Sequence, residues 1–201
     1  MKLLGRIPSS CYLACSGGKD SMMLLNFLLA GRRDVTVLYF NHNTEHGKEA
    51  EHFLHEFCRE RNLTLHIGTY YGVEKTEEAW RNARYKFFSF FKDKPILTAH
   101  TLCDNIETYI MSDIKGTAKF IPYQRDNIIR PMLLLSKNKI LEYASENKVV
   151  WIEDPSNSTS KYDRNKIRNQ VIPVLKQINP GLERVFKRRC IEKYRKDGLK
   201  I

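Results

Sequence analysis

The sequence predicts an α/β fold in which a parallel β-sheet carries helices on both faces and is followed by a small helical C-terminal extension. Short apolar stretches recur along the first half of the chain, and segments with helical spacing of apolar residues alternate with them. A glycine turn joins the first stretch to the first helix. Strands that alternate with helices form crossover connections, which produce a parallel sheet covered on both faces.

The predicted strands are short apolar segments. The first, residues 11–15, leads into a glycine turn at residues 16–21 and then into a helix whose buried side begins at Met22. The other predicted strands cover residues 36–40, 63–67 and 95–100. Because ligands bind beyond the carboxyl ends of the strands in such sheets, we expect the residues that follow the strands to share one crevice.

The predicted helices follow from apolar residues spaced three and four positions apart. Residues 47–62 show this pattern clearly, with apolar side chains at i, i+3, i+4, i+7 and i+8. Ser136 is a predicted N-cap, and Pro173 should bend or interrupt the helix that contains it. The other helices are predicted over residues 74–92, 104–113, 136–147, 163–178 and 182–196.

The positive charge of the chain is concentrated at its C-terminal end. The 201 residues carry a formal net charge of +11, of which residues 161–201 account for +9 and residues 1–160 for +2. A nearly neutral body with a basic tail suggests a polyanionic partner that approaches one end, and nucleic acid is the natural candidate. The alternative is a solvated helical tail.

Cysteine usage and the length of the apolar stretches favour a cytoplasmic location. The five cysteines form no CxxC pair and no metal-ligand spacing, which is typical of reduced, mostly buried thiols. The longest apolar stretches are too short to span a bilayer, and the N-terminus has no apolar region of signal-peptide length. We therefore predict a cytoplasmic protein that does not associate with membranes.

The glycine turn after the first strand has the features of a phosphate-binding loop. It consists of Ser16, Gly17, Gly18, Lys19, Asp20 and Ser21. A strand, a tight turn and a helix start direct backbone N–H groups and the positive helix end at one place, and glycines let an anion approach without a Cβ in the way. The Asp20 carboxylate would need Mg²⁺ or an amine to compensate it beside phosphates. The alternative is that Asp20 and Ser21 only cap the helix.

A second candidate group follows the fourth predicted strand. His100 and Asp104 are four residues apart, so they project near each other if the helix begins early. A histidine–carboxylate pair can orient an amine and take its proton. The alternative is structural, with Asp104 as a helix N-cap and Glu107 completing a capping-box-like turn.

The glycine turn resembles the SGGxDS signature of the PP-loop (N-type) ATP pyrophosphatases, which split ATP into AMP and pyrophosphate. The resemblance implies a Rossmann-like, adenine nucleotide alpha hydrolase-like fold. It also implies that residues 16–21 bind ATP and that Asp20 holds Mg²⁺. Enzymes of this superfamily adenylate a carbonyl oxygen so that a nucleophile can displace AMP.

Residues 99–108 resemble the AHHxDDxxET element of the tRNA(Ile)-lysidine synthetases, a family within that superfamily. The matching residues are Ala99, His100, Asp104, Glu107 and Thr108. Thr101 stands where the family has its second histidine, and Cys103 stands where it has its first aspartate. The resemblance implies that the retained pair, His100 and Asp104, is catalytic.

Other elements of the same family follow in its order. The resembling segments are residues 78–87 (EAARxxRYxFL), 115–117 (RG[ST]), 130–131 (RP), 153–157 (EDPSN) and 164–168 (RNxIR). Residues 41–44 depart from the family's NHGLR because the arginine is missing. Arg81 and Arg84 share a helix face and could reach the phosphates of ATP, the alternative being a solvated basic face. Arg164 and Arg168 are implied to steady ATP or the tRNA backbone.

The resemblance implies a ligase that acts on the CAU anticodon of tRNA(Ile). ATP with Mg²⁺ would adenylate the carbon-2 oxygen of the wobble cytidine, and free L-lysine would then displace AMP through its ε-amine. The implied catalytic residues are Asp20, His100 and Asp104. The tail residues expected to bind the tRNA backbone are Arg184, Lys187, Arg188 and Arg189.

The expected organisation is a PP-loop ATP-binding catalytic domain over residues 1–135, a helical continuation over residues 136–180 and a basic helical tail over residues 181–201. Members of the family usually carry one or two C-terminal domains that grip the tRNA, and only the tail follows residue 180. Either the protein does without them, or a partner or a homodimer supplies that surface.

Three other functions are alternatives to this one. A tRNA thiolase of the same superfamily would want a cysteine pair, and Cys11 and Cys15 are spaced CxxxC with Cys11 inside a strand. A nucleotide-synthesising amidotransferase would need an ammonia-producing domain, for which the chain has no room. An ATP- or tRNA-binding module without turnover is favoured by Thr101 and Cys103, whereas the intact loop and the retained His100 and Asp104 oppose it.

Overall fold

The computed structural model describes residues 2–74, 76–153 and 163–201. The strands are β1 (Ser10–Ala14), β2 (Asp34–Asn41), β3 (Leu65–Thr69), β4 (Ile96–Thr98), β5 (Gln124–Arg125) and β6 (Ile128–Ile129). The helices are α1 (Lys19–Ala30), α2 (Glu45–Glu60), α3 (Glu77–Phe88), α4 (Leu102–Asp113), α5 (Lys137–Glu146), α6 (Asp163–Lys166), α7 (Ile172–Ile178) and α8 (Leu182–Lys196). A π-helical turn, Ile167–Val171, joins α6 to α7.

In the part of the chain that the structure describes, the strands form a six-stranded sheet in the order β3-β2-β1-β4-β6-β5. All pairings are parallel except that of β5 with β6. The chain builds outward from β1 to β3 and then returns to the other side of β1 to place β4, so the strand order reverses between β1 and β4. This is where ligands bind in open α/β sheets. The predicted α/β fold is confirmed.

The four predicted strands are β1 to β4, with small shifts at their ends. β3 begins at Leu65 rather than at residue 63, because the N–H of Leu63 donates to the carbonyl of Cys58 at the end of α2. The β5–β6 hairpin was not predicted, because strands of two residues are too short to show an alternation of apolar and polar residues. Asp126 occupies its turn with a φ of +55°.

The predicted helices are also present. Ser136 is the N-cap of α5 as predicted, although its side chain makes no capping hydrogen bond. The predicted interruption near Pro173 takes the form of the π-helical turn, which ends at Val171, two residues before the proline. Because proline has no N–H to donate, the helix can widen here at little further loss of hydrogen bonds.

The sheet alternates its side chains between two apolar cores. Cys11 and Leu13 of β1 pack in the core that α1, α2 and α5 cover, whereas Tyr12 and Ala14 contact the core on the opposite face, which α3 covers through Phe88. Successive strand residues point to opposite faces, so both faces of β1 must be apolar. This burial explains why β1 is a continuous apolar run in the sequence.

The basic tail folds back onto the body as α8. Leu182, Phe186, Cys190 and Tyr194 recur every four residues, are buried, and join α4 in a third core. The Asn105 side chain on α4 donates to the Tyr194 hydroxyl at 2.6 Å, and this hydroxyl donates to the carbonyl of Ile121 at 2.8 Å. The predicted helix over residues 182–196 is confirmed.

The opposite side of α8 carries the positive charge. Its exposed cations include Arg184, Lys187, Arg188 and Arg189, and none of these four makes an ion pair within the described ranges. No helix among the described residues is both long and apolar enough to cross a bilayer.

We expect Tyr194→Phe to lower the free energy of unfolding by about 1–3 kcal/mol, because the buried Ile121 carbonyl loses its donor and Asn105 loses an acceptor. Urea denaturation followed by circular dichroism would measure the change. Glu192→Ala, at an exposed position on the same helix, is the control and should stay within about 0.5 kcal/mol of the parent. A loss of the same size in both variants would indicate a general effect on α8 rather than the lost hydrogen bonds.

Candidate active site

The loop between β1 and α1 has a conformation that suits an anion. Gly17 has a φ of +79°, which favours glycine, and a Cβ there would lie 3.3 Å from the side chain of Ile152. Gly18 precedes α1 as its N-cap without a side-chain cap, so the first N–H groups of the helix have no side-chain acceptor at that position. The loop therefore combines a strand, a glycine turn and a free helix start, as the phosphate-loop prediction requires.

The two serines of the loop occupy different environments. The buried Ser21 hydroxyl donates to the Gly18 carbonyl at 2.8 Å and accepts from the N–H of Ser16 at 3.2 Å, so it braces the loop. Ser16 is exposed, and the ammonium of Lys19 lies over the Trp151 ring at 5.6 Å. In this conformation the accessible donors are Ser16 and Lys19, while Ser21 maintains the shape of the loop.

Asp20, in the first turn of α1, lies close to a second carboxylate on α4. Burial, together with the charge of Asp104, raises the pKa of Asp20 from 3.8 to about 6, against the opposing charges of Lys19, Lys137 and Arg168. These three cations therefore do not fully offset the effect of burial and of the Asp104 charge on this carboxyl group. The structure thus brings together Asp20 and Asp104, which lie 84 positions apart in the sequence.

Asp104 has a structural role as well as a place in the site. Thr101, not Asp104, is the N-cap of α4, and the Asp104 carboxylate accepts from the Thr101 N–H at 2.7 Å and from its hydroxyl at 2.9 Å. The alternative prediction of Asp104 as the N-cap with Glu107 closing a capping box is wrong by one turn. Burial would raise the pKa of Asp104, but His100, the Thr101 N–H and Arg164 outweigh it and lower the pKa.

His100 lies between β4 and α4 and is fixed by one hydrogen bond. Its Nδ1 is 2.8 Å from the Thr98 hydroxyl, which leaves Nε2 as the other ring nitrogen available for chemistry. Burial, together with the charges of Arg130, Arg84 and Arg164, lowers the pKa of His100 to about 4, although Asp104 opposes the shift. The imidazole is therefore neutral at neutral pH.

Glu107 is the anchor of the site, a role that sequence reasoning did not assign to it. It is fully buried, with 0% relative exposure, and it accepts two hydrogen bonds from Arg168, at 2.6 and 3.0 Å. The Nε of Arg164 lies 3.4 Å from the same carboxylate, and a terminal nitrogen of Arg164 donates to Thr108 at 3.0 Å. Glu107 thereby fixes both arginines, and Arg168 also comes within 3.5 Å of Asp104.

Two further arginines from other elements contribute positive charge. Burial lowers the pKa of Arg84 on α3, and Arg81 and Arg164 lower it further, while Tyr85 opposes them. Arg130 is only 3% exposed and donates to the Pro122 carbonyl at 3.0 Å and to the Tyr85 hydroxyl at 3.4 Å. Within the described ranges, neither Arg84 nor Arg130 is paired with a carboxylate. These cations can accept an anion without breaking an existing ion pair.

The structure separates the remaining predicted residues. Arg81 is exposed, and its guanidinium stacks on Tyr85 at 5.0 Å from the ring centre rather than entering the site. The exposed tail arginines lie on α8, which packs against α4 rather than against the phosphate loop. Of the EDPSN-like element, only Glu153 lies within the described residues.

Asp20→Asn should stabilise the protein in a pH-dependent way, because the folded state raises the pKa of this carboxyl group. Ionising Asp20 costs stability as the pH rises through about 6, whereas below about pH 4 the group is protonated in both the folded and unfolded states. We expect a gain in unfolding free energy of up to about 3 kcal/mol at neutral pH and almost none near pH 4.

Urea denaturation across this pH range measures the gain. Asp113→Asn, at an exposed position on α4, is the matched control and should leave the pH profile of stability unchanged. An equal gain from Asp20→Asn at every pH would mean that packing or helix capping, and not charge, is responsible.

Comparisons with known proteins bear on this geometry. The chain is 34% identical over 196 residues to a tRNA(Ile)-lysidine synthase of Thermosipho africanus, covering 88% of this chain and 46% of that protein. It is 33% identical over 188 residues to a tRNA(Ile)-lysidine synthase of Enterococcus faecalis, covering 84% of this chain and 41% of that protein. The chain spans about half the length of the curated relatives that it matches.

Solved structures share the fold at low sequence identity. A U34-tRNA thiolase NcsA from Methanococcus maripaludis superposes with a TM-score of 0.67 at 15% identity, covering 89% of this chain and 70% of that one. An NH3-dependent NAD synthetase from Campylobacter jejuni has a TM-score of 0.50 at 17% identity, covering 98% of this chain and 90% of that one. The family model for the PP-loop domain matches residues 4–175, and the chain therefore belongs to the PP-loop domain family.

Proposed function

We propose that this chain carries the catalytic activity of a tRNA(Ile)-lysidine synthetase. It would use ATP to activate the wobble cytidine of a CAU anticodon and would then join free L-lysine to that base. The observation that supports the proposal is the electrostatic interaction of Asp20, at the phosphate loop, with Asp104 on α4, whose charge also acts on the neutral His100. The similarity to curated proteins of that name supports the choice of reaction.

The residues of the loop fit ATP and Mg²⁺. The pyrophosphate end of ATP would lie on Gly17 and Gly18 at the start of α1, where a phosphate meets backbone N–H groups and no Cβ. Asp20 would hold Mg²⁺, since one or two carboxylates together with substrate phosphates are the usual Mg²⁺ ligands. The ion would supply positive charge both to the phosphates and to the Asp20–Asp104 pair.

The first step would join the cytidine to AMP. The carbon-2 oxygen of the base attacks the α-phosphorus of ATP, the bond from that phosphorus to the bridging oxygen breaks, and pyrophosphate leaves. Negative charge develops on the phosphate oxygens, and preorganised cations stabilise such charge. Arg84, Arg164 and Arg168 are the candidates, because Glu107 already fixes the last two.

The second step would join lysine to the activated base. Asp104, whose pKa is lowered, offers a carboxylate to the ε-ammonium group, and the neutral His100 offers a ring nitrogen that can accept its proton. The amine then attacks carbon 2, the bond from carbon 2 to oxygen breaks, and AMP leaves with that oxygen.

The tRNA backbone would bind the exposed face of α8. Arg184, Lys187, Arg188 and Arg189 are exposed there, and the apolar side of the helix is occupied by packing against α4. We also propose a cytoplasmic location. A homodimer would supply further surface for binding the tRNA. Because α8 shares a core with α4, we propose that residues 1–135, 136–180 and 181–201 differ in function and are not separately folded domains.

Sulfur transfer is the less well-supported reaction. The pKa of Cys11 is raised by burial to about 11, and burial also raises the pKa of Cys15, so both thiols are protonated at neutral pH. Thiolates, not thiols, are the nucleophiles and metal ligands. Thr101, a departure from the lysidine synthetase pattern, caps α4 and so does not disturb the site.

We expect the protein with Mg-ATP to transfer labelled lysine to a CAU-anticodon tRNA and to release AMP and pyrophosphate. Asp20→Ala and Asp104→Ala should each lower this transfer by at least about a hundredfold, because the first removes the metal ligand and the second removes the group that receives the amine. Asp113→Ala, at the far end of α4, is the matched control. ATP binding without lysine transfer would favour the module without turnover, and sulfur incorporation would favour the thiolase.

Neutralising Arg184, Lys187, Arg188 and Arg189 together with glutamine should flatten the salt dependence of tRNA binding. Each lost phosphate contact should reduce the log–log slope by about 0.7–0.9, with little change in melting temperature. The control substitutes glutamine for four exposed cations outside α8, which removes the same net charge. These are Lys48, Arg59, Lys139 and Lys148. A lower melting temperature with an unchanged salt slope would show that the four tail residues are structural.

A further inference from the structure

An aromatic groove lies between the edge strand β3 and helix α3. We call it the β3 groove, and its defining residues are Phe40, Gly68, Tyr71, Lys86, Phe87 and Phe90. Tyr71 and Phe90 are 85% and 75% exposed. Such high exposure is unusual for two aromatic side chains in one groove, because large aromatic residues are usually mostly buried. The reaction steps proposed above use neither of them.

The groove owes its shape to one glycine. A Cβ on Gly68 would lie 2.6 Å from the Phe87 ring and 3.0 Å from the Phe40 ring, so only glycine lets these rings lie against the strand. The two rings are 5.8 Å apart and form the floor. The cavity is about 250 Å³ and open, which is below the roughly 300–1,000 Å³ of small-molecule pockets. A flat group stacked on exposed rings suits it better than an enclosed ligand.

The groove adjoins the candidate active site. Tyr71 follows the carboxyl end of β3, at the same edge of the sheet as the phosphate loop. From the floor, Phe40 contacts His42 at 5.3 Å between ring centres, and His42 contacts Trp80 at 5.3 Å. Arg84, one turn further along α3, acts on both His42 and His100. Two ring contacts and the charge of Arg84 thus link the groove to the site.

We propose that the β3 groove binds unpaired bases of an RNA loop next to the base that enters the active site. This proposal rests on the proposed function, since it extends the substrate surface of the same site. Exposed aromatic rings accept any base by stacking, and a cation beside them can contact the connecting phosphate. Among the described residues that define the groove, Lys86 is a cation and none is a carboxylate. This charge matches RNA.

The test uses an anticodon stem-loop RNA that contains CAU, with 2-aminopurine next to the CAU triplet as the probe. Tyr71→Ala and Phe90→Ala should each weaken its binding by roughly five- to a hundredfold and should abolish the fluorescence change on binding, because each removes a stacking surface. Tyr71→Trp should restore both signals. A duplex with the same stem and no loop should bind all variants equally.

Ile114→Ala, at an equally prominent apolar position with 77% exposure at the end of α4, is the matched control. Circular dichroism and melting temperature check that each variant is folded. If stem-loop binding depends on Tyr71 and Phe90 while the parent protein transfers no lysine, the groove assignment stands and the proposed reaction falls.

Two results would overturn the groove assignment. One is folded Tyr71→Ala and Phe90→Ala variants that bind the stem-loop as the parent does. The other is a change in sedimentation of the free protein without loss of RNA binding, which would make the groove a contact between two copies of the chain.

Discussion

The rest of the site depends on the pairing of the buried Glu107 carboxylate with Arg168 and Arg164. A carboxylate removed from water costs several kcal/mol unless partners and hydrogen bonds replace its hydration. Arg168 and Arg164 are those partners, at 2.6 and 3.4 Å. Because α4 supplies the acid and the helical segment over residues 163–178 supplies the cations, this segment cannot leave α4 without exposing an unpaired buried charge. The same ion pairs place both guanidinium groups beside Asp104.

The site keeps charges of both signs that are not fully compensated within the described chain. On the acidic side, Asp104 raises the pKa of Asp20. On the basic side, Arg84 and Arg130 lower the pKa of His100. A ligand that carries a cation for the carboxylates and phosphates for the arginines would relieve both conflicts at once. Mg-ATP is such a ligand, and this complementarity supports the proposal that it binds at the phosphate loop.

The C-terminal helix α8 has an apolar side that packs on the body and a basic side that is exposed. In the sequence, both sides belong to one basic segment. Its apolar side completes a core with α4, and the hydrogen bonds among Asn105, Tyr194 and Ile121 lock the two helices in register. Arg184, Lys187, Arg188 and Arg189 lie on the exposed side because apolar residues occupy the packed side. An RNA bound on α8 would therefore lie on a surface attached rigidly to the helix that begins beside His100.

Local sequence patterns determined the parts of this protein that local physics controls. Strands β1 to β4 and most helices follow from the period of apolar residues, and the phosphate loop follows from two glycines between a strand and a helix. Residue types, their spacing and the family resemblance identified Asp20, His100 and Asp104 as candidates. Only the tertiary structure decided that Glu107 anchors Arg168, which is 61 positions away, and that Asn105 holds Tyr194, which is 89 positions away. It also decided that Ser21 braces the loop. Burial and pairing depend on what the folded chain brings next to a residue, and no periodic pattern records such distant contacts.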